Sequence, residues 1–147
     1  MSSVNSASPK ENVSKVLLVD DSRFLRTANE RTLLKAGYNV EVAPDGEEAL
    51  ELAAQAKYDL IILDMLLPKL SGVEVLRRLR SKPSTASIPV LVLSSLPVSN
   101  REKLINEGAT EYWEKSLFAA ENGQHVFLEA VQRLLLRAQK QAHPKSG

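Results

Sequence analysis

Cysteine is absent from the 147 residues, which removes disulfides, thiolate metal sites and cysteine nucleophiles. Histidine is scarce, with only His125 and His143. His125 falls on a helical pattern and reads as a surface residue, and His143 lies close to the C-terminus, so neither suggests a phosphodonor. No apolar run exceeds four or five residues, against the roughly 20 that a membrane helix needs. The opening stretch, Met1 to Asn12, is polar and has no signal-peptide core. Cytoplasmic residence without a membrane partner is therefore expected. Neither sign of charge dominates: 19 Lys+Arg against 18 Asp+Glu, a formal net charge of +1, gives no reason to expect direct binding to nucleic acid. Also missing are a P-loop, a G-x-G-x-x-G, and two aspartates spaced two apart after the first strand. Nucleotide-binding enzymes and aspartate-dependent hydrolases thus become distant readings.

What remains is enough chain for one core and too little for two. Residues 1–13, rich in serine and asparagine, read as a disordered leader. The domain is expected over 14–140, with a flexible tail over 141–147. Three short runs, Val16–Val19, Leu60–Leu63 and Val90–Leu93, are apolar throughout, the pattern of strands buried on both faces. Tyr38 to Ala43 alternates apolar with polar and suits an edge strand. Glu111 to Glu114 is mixed and reads as the other edge.

Amphipathic stretches separate these runs. Ser22 can cap a helix that ends near Ala36, with Gly37 in the terminating position. Asp45 can cap a second helix, and Ser71 with Glu74 and Ser99 with Glu102 fit capping boxes for a third and fourth. Gly108 closes the fourth. The fifth, from about Glu121 to Lys140, lines up Phe127, Val131, Leu134, Leu135 and Ala138. Alternation of strand and helix five times over predicts an α/β fold, a doubly wound five-stranded parallel sheet with helices on both faces.

In such sheets the working site lies beyond the carboxyl ends of the strands. The first strand ends in Asp20-Asp21, the third in Asp64, the fourth in Ser94-Ser95 and the fifth in Lys115. Taken singly, an aspartate or serine there is a helix cap, and a lysine is a surface residue. Together they gather three carboxylates, a hydroxyl and an ammonium group at one rim. Two like charges about 5 Å apart at an effective dielectric near 20 repel by roughly 3 kcal/mol. Such a cluster calls for a cation, and an all-oxygen acidic site suits Mg²⁺, with Mn²⁺ as a substitute.

From about Lys15 to Lys140 the sequence resembles the receiver domain of response regulators, the CheY-like family. Val19-Asp20-Asp21-Ser22 matches its acidic pair, and Leu63-Asp64-Met65-Leu66-Leu67-Pro68 with Leu70-Ser71-Gly72 its phosphoacceptor strand and loop. Ser94 matches its Ser/Thr, Lys115 its lysine, and Tyr112, three residues earlier, its rotating aromatic. The resemblance implies a (βα)5 flavodoxin-like fold with strand order 2-1-3-4-5. It implies that Asp64 takes a phosphoryl group from the histidine of a sensor kinase or phosphotransfer protein. Asp21, Asp64 and the Leu66 backbone carbonyl would hold Mg²⁺ directly, and Asp20 partly through water. Lys115 and Ser94 would bind the phosphoryl oxygens. Tyr112 would turn inward and remodel a surface of the fourth helix, fifth strand and fifth helix for a downstream protein. The chain would act as a monomer or as a dimer formed on phosphorylation, and would be no enzyme beyond its own phosphorylation and dephosphorylation.

Several positions depart from the family pattern. Ser116 replaces the usual proline after the lysine, so a trans Lys115–Ser116 bond is expected, since cis costs about 2.5–4 kcal/mol without proline. Ser95 stands where a smaller residue is common, Leu66 and Leu96 are apolar where polar side chains often flank the phosphate, and Glu114 precedes Lys115. Ser116 and Glu114 keep open an alternative, a receiver-shaped scaffold or adaptor that never takes phosphate. Arg77, Arg78, Arg80 and Lys82 read as a solvated face with charge suited to a helix C-terminus, and Arg133, Arg137 and Lys140 likewise. Trp113 reads as packing. Leu136 and Val126 lie off the main stripe of the fifth helix.

Overall fold

Each apolar run forms a strand, and each amphipathic stretch forms a helix. The computed structural model describes residues 13–95, 101–115 and 122–142. In chain order the elements are β1 (Lys15–Val19), α1 (Arg23–Lys35), β2 (Asn39–Ala43), α2 (Gly46–Gln55), β3 (Leu60–Asp64), α3 (Gly72–Ser81), β4 (Val90–Ser94), α4 (Arg101–Asn106), β5 (Glu111–Glu114) and α5 (Gly123–Ala142). All five strands are parallel and lie in the order β2-β1-β3-β4-β5. This is the expected doubly wound, flavodoxin-like arrangement. The expected leader, apart from Val13, and the last five tail residues lie outside the described residues, and α5 continues to Ala142.

The central strands are buried on both faces, as their unbroken apolar runs require. One core layer packs Leu17, Ile61, Leu63 and Val92 against Ala49 and Ala53 of α2, Val75, Leu76 and Leu79 of α3, and Leu104 of α4. The other packs Val16, Leu18, Ile62 and Leu91 against Leu33 of α1 and Phe127, Ala130, Val131 and Leu134 of α5. In β2 the residues alternate between exposed and half-buried, which fits an edge strand.

Side-chain caps start the helices where expected. Ser22 Oγ accepts from the Leu25 N–H (3.3 Å), Asp45 Oδ1 from Glu48 (2.9 Å) and Ser71 Oγ from Glu74 (3.2 Å). Only half of the Ser71–Glu74 box forms, because the Glu74 carboxylate pairs with Arg78 one turn on (3.0 Å). The Ser99–Glu102 box lies outside the described residues. Gly37 (φ 98) and Gly108 (φ 124) follow α1 and α4 in the left-handed conformation that ends many helices.

The basic run on α3 is not simply a solvated face. Arg78 fits that reading, but Arg77 makes a bidentate pair with Glu107 (2.8 and 2.9 Å) just after α4. Arg80 is half-buried and donates to the carbonyls of Thr85 (3.3 Å), Ala86 (3.0 Å), Ile88 (2.7 Å) and Gly108 (3.0 Å). It serves as a cationic clamp joining α3, the α3–β4 loop and the end of α4. Arg133 and Arg137 likewise converge on Glu111 of β5 (2.9 and 3.5 Å), which also accepts from Trp113 Nε1 (2.8 Å).

Arg80→Met would keep the stem and strip those carbonyls of their donor. Urea denaturation is expected to show a loss of about 2–3 kcal/mol, the scale for buried polar groups left unpaired. A loss below about 0.5 kcal/mol, typical of a surface substitution, would mean that the clamp adds nothing.

Candidate functional site

Parallel register fixes which side chains meet at the carboxyl rim. Val19 lies opposite Leu63, so Asp20 emerges beside Asp64, and Asp64 in turn lies opposite Leu93, one residue before Ser94. Ser94 pairs in register with Glu114, which places Lys115 at the same rim. Four strands thus deliver the expected residues to one place.

Carboxylate oxygens of Asp20, Asp21 and Asp64 lie within 4.8 Å of one another. Lys115 Nζ donates to Asp64 Oδ2 at 3.0 Å and stands 3.6 Å from Asp20 Oδ2. Asp20 and Asp64 are almost fully buried, whereas Asp21 is exposed at the mouth. Ser94 is fully buried, and Tyr112 is buried and inward-facing within the layer that includes Leu104 of α4. Leu66 is 54% exposed, and Ser95, directly after β4, is also exposed. Leu96, Ser116 and the Lys115–Ser116 bond lie outside the described residues.

Burial sets the electrostatics. The Asp64 carboxyl is held above its ordinary value, first by desolvation and also by the nearby charge of Asp20, with the Lys115 hydrogen bond and the Leu66 amide opposing. Among the described residues, three carboxylates converge on one ammonium, and the donors are all hard oxygens, the kind that Mg²⁺ takes. The residues present therefore fit such an ion.

Backbone groups hold the pocket in shape. The Ser22 N–H donates to Asp20 Oδ1 (2.9 Å), the Leu66 N–H to Asp64 Oδ1 (3.3 Å), and the Asp20 N–H to the Ala43 carbonyl (3.1 Å). The β3–α3 loop, largely exposed, is closed at its base by a tight approach of Gly72 to Met65. A Cβ on Gly72 would come within 2.7 Å of Met65 Sδ and 2.9 Å of Met65 Cα. Lys69 sits at φ 67 in this loop, with its ammonium 3.5 Å from Asp45 Oδ2 at the α2 cap.

Two cations, one bonded to the pocket's backbone and one at the α2 cap, were not singled out from sequence. Arg26 Nη1 donates to the Asp20 backbone carbonyl at 2.8 Å. Its place one turn after the Ser22 cap was a usable signal. Lys69 had none, because a left-handed lysine follows no local rule.

The chain was compared with known proteins. A family model described as the response regulator receiver domain matches residues 16–126. The gliding motility regulatory protein of Myxococcus xanthus is 44% identical over 122 residues, covering 82% of this chain and 15% of that protein. Response regulator MprA of Mycolicibacterium vanbaalenii is 42% identical over 124 residues, covering 84% of this chain and 50% of that protein. The chain therefore spans half or less of the length of these relatives. Among solved structures, chemotaxis response regulator CheY4 of Vibrio cholerae is similar at TM-score 0.76 and 33% identity, covering 84% of this chain and 99% of that one. The receiver domain of sensor histidine kinase PA1611 from Pseudomonas aeruginosa gives TM-score 0.73 and 27% identity, covering 84% and 98%, and has a magnesium ion coordinated in its active-site cleft.

Since burial raises the Asp64 carboxyl above the value of 3.8 taken for the unfolded chain, the folded state holds that proton longer than the unfolded state. Stability from this group then falls as pH rises from below that value through the folded one, and the penalty is complete above it. In EDTA, Asp64→Asn is expected to melt a few degrees above the wild type at pH 7, with the gap closing toward pH 4. Calorimetry across pH is the measurement. A lower melting temperature for the variant at pH 7 would mean that the Lys115 pair outweighs the burial cost.

Proposed function

The chain belongs to the response regulator receiver domain family, and from that premise we propose that Asp64 is the phosphoacceptor of a two-component phosphorelay. The observation that carries this reading is the Lys115 ammonium, 3.0 Å from a buried Asp64 carboxylate within a three-carboxylate pocket. A buried carboxylate with one cation already against it and two further carboxylates beside it suits a phosphate–metal pair.

The phosphodonor in this reading is a phosphohistidine on a sensor kinase or phosphotransfer protein. An Asp64 oxygen attacks phosphorus, the phosphorus–nitrogen bond breaks, and the imidazole leaves with the electron pair and takes a proton. Asp21, Asp64 and the Leu66 carbonyl would hold Mg²⁺, with Asp20 acting partly through water. Such an ion would neutralise the carboxylates and polarise the phosphoryl oxygens. Lys115 keeps its charge for the transferred group and exchanges a carboxylate partner for a phosphoryl one. Ser94, at the end of β4, donates to another phosphoryl oxygen.

Switching follows from the added charge. Ser94 and Tyr112 stand on neighbouring strands, and Tyr112 shares its layer with Leu104 of α4. A pull on Ser94 would be felt at α4, β5 and α5, the surface offered to a downstream protein. Phosphorylation-dependent dimerisation would use the same surface. Leu66, half-exposed at the mouth, has no group that could orient an attacking water, so the phosphorylated state is long-lived.

Incubation with Mg²⁺ and acetyl phosphate should add one phosphoryl group by intact mass. Asp64→Asn or EDTA should reduce the signal to background. Absence of the adduct, with beryllofluoride also failing to shift the amide spectrum, would favour the adaptor reading instead. After donor removal, Leu66→Asn combined with Leu96→Glu is expected to shorten the adduct lifetime by about tenfold, a modest share of what a positioned group can contribute. Equal lifetimes would show that these leucines do not gate the water.

A further inference from the structure

Arg26 is tied to the acidic pocket without touching a carboxylate. Long side chains on a helix lean back over the preceding turn, and the Arg26 N–H bonds the Ser22 carbonyl at 2.8 Å in the first turn of α1. That geometry returns the guanidinium to the Asp20 carbonyl, where Nη1 donates at 2.8 Å. The side chain is half-buried. Among the described residues no carboxylate stands within ion-pair distance of it.

The carbonyl that accepts this bond belongs to the peptide group joining Asp20 to Asp21. A peptide group moves as a plane, so turning it would reorient the Asp21 carboxylate relative to Asp20 and Asp64. Asp20 is held in other ways, by the Ser22 amide on its side chain and by Ala43 on its N–H. Asp21 is exposed, and none of the hydrogen bonds among the described residues is to its carboxylate. We propose that Arg26 is a positioning residue for the divalent-cation site, fixing the Asp20–Asp21 peptide so that Asp21 stays aimed at Asp64. This rests on the reading of the pocket given above.

Two effects of Arg26 oppose each other. As a cation beside an acidic cluster it disfavours a second cation, so removing it should tighten Mg²⁺ binding. As a brace it preorganises the ligands, so removing it should weaken binding. We infer that the brace dominates, because a charge-assisted hydrogen bond at this distance is strong and outer partners of metal ligands typically contribute 10–100-fold in affinity or activity.

The test is Mg²⁺ affinity by calorimetry, with free Mn²⁺ measured by electron paramagnetic resonance as a second readout, on the full chain. Arg26→Gln is expected to weaken Mg²⁺ by about tenfold and to shift the Asp21 and Ser22 amide resonances before metal is added. Arg26→Lys, which keeps the charge but not the planar fork, should recover only part of the affinity, and it carries the test if the glutamine variant fails to fold. Thr27→Gly, at an exposed position of α1, should lower the melting temperature and leave Mg²⁺ affinity unchanged. Unchanged or tighter binding in Arg26→Gln, full affinity in Arg26→Lys, or an equal loss in Thr27→Gly would overturn the inference and leave the Asp64 reading intact. A wild-type chain with no Mg²⁺ binding sensitive to Asp21→Asn would overturn both.

Discussion

Asp20 and Asp64 are carboxylates with almost no contact with solvent, and they share a single ammonium, that of Lys115. Burying charge is costly unless it is paired, and here the pairing is incomplete. The surrounding architecture serves to hold that incomplete arrangement. The parallel register brings the strand ends level, the Ser22 and Leu66 amides donate to the carboxylates, and Gly72 lets the start of α3 close tightly on Met65. An apolar pocket would be more stable and would have no use for a metal or a phosphate.

The same incomplete pairing shows in the proton affinity of Asp64. Lys115 lowers the cost of ionising Asp64 without removing it, so the Asp64 carboxyl stays above its ordinary proton affinity. The pocket is left short of positive charge, which a divalent cation would suit.

Much of this was legible in the sequence. Unbroken apolar runs reported strands covered on both faces, and the residue after each run reported the rim. Polarity and position sufficed there, since a parallel sheet converts sequence order into spatial order. The caps at Ser22, Asp45 and Ser71 were legible for a similar reason, since capping is local. The roles of Arg77, Arg80, Arg133 and Glu111 were not. Each depends on a partner in another segment that could equally have met water, and a helix pattern assigns a face without naming what crosses to it. Arg80 misled most, because a long cation near a helix C-terminus satisfies a local rule while its guanidinium serves the carbonyls of two other segments.

The Arg80 clamp has a mechanical consequence for α4. Gly108 is held by Arg80 and Glu107 by Arg77, so the C-terminal end of this helix is anchored to α3 twice. A rod pinned at one end moves as a lever. Six residues at 1.5 Å each make an arm of about 9 Å, so a tilt of about ten degrees displaces the Arg101 end by roughly 1.5 Å while the Gly108 end stays in place. The pivot lies where Arg80 ties Gly108 to Ile88, just before β4 begins, and the stroke falls at the opposite end of α4.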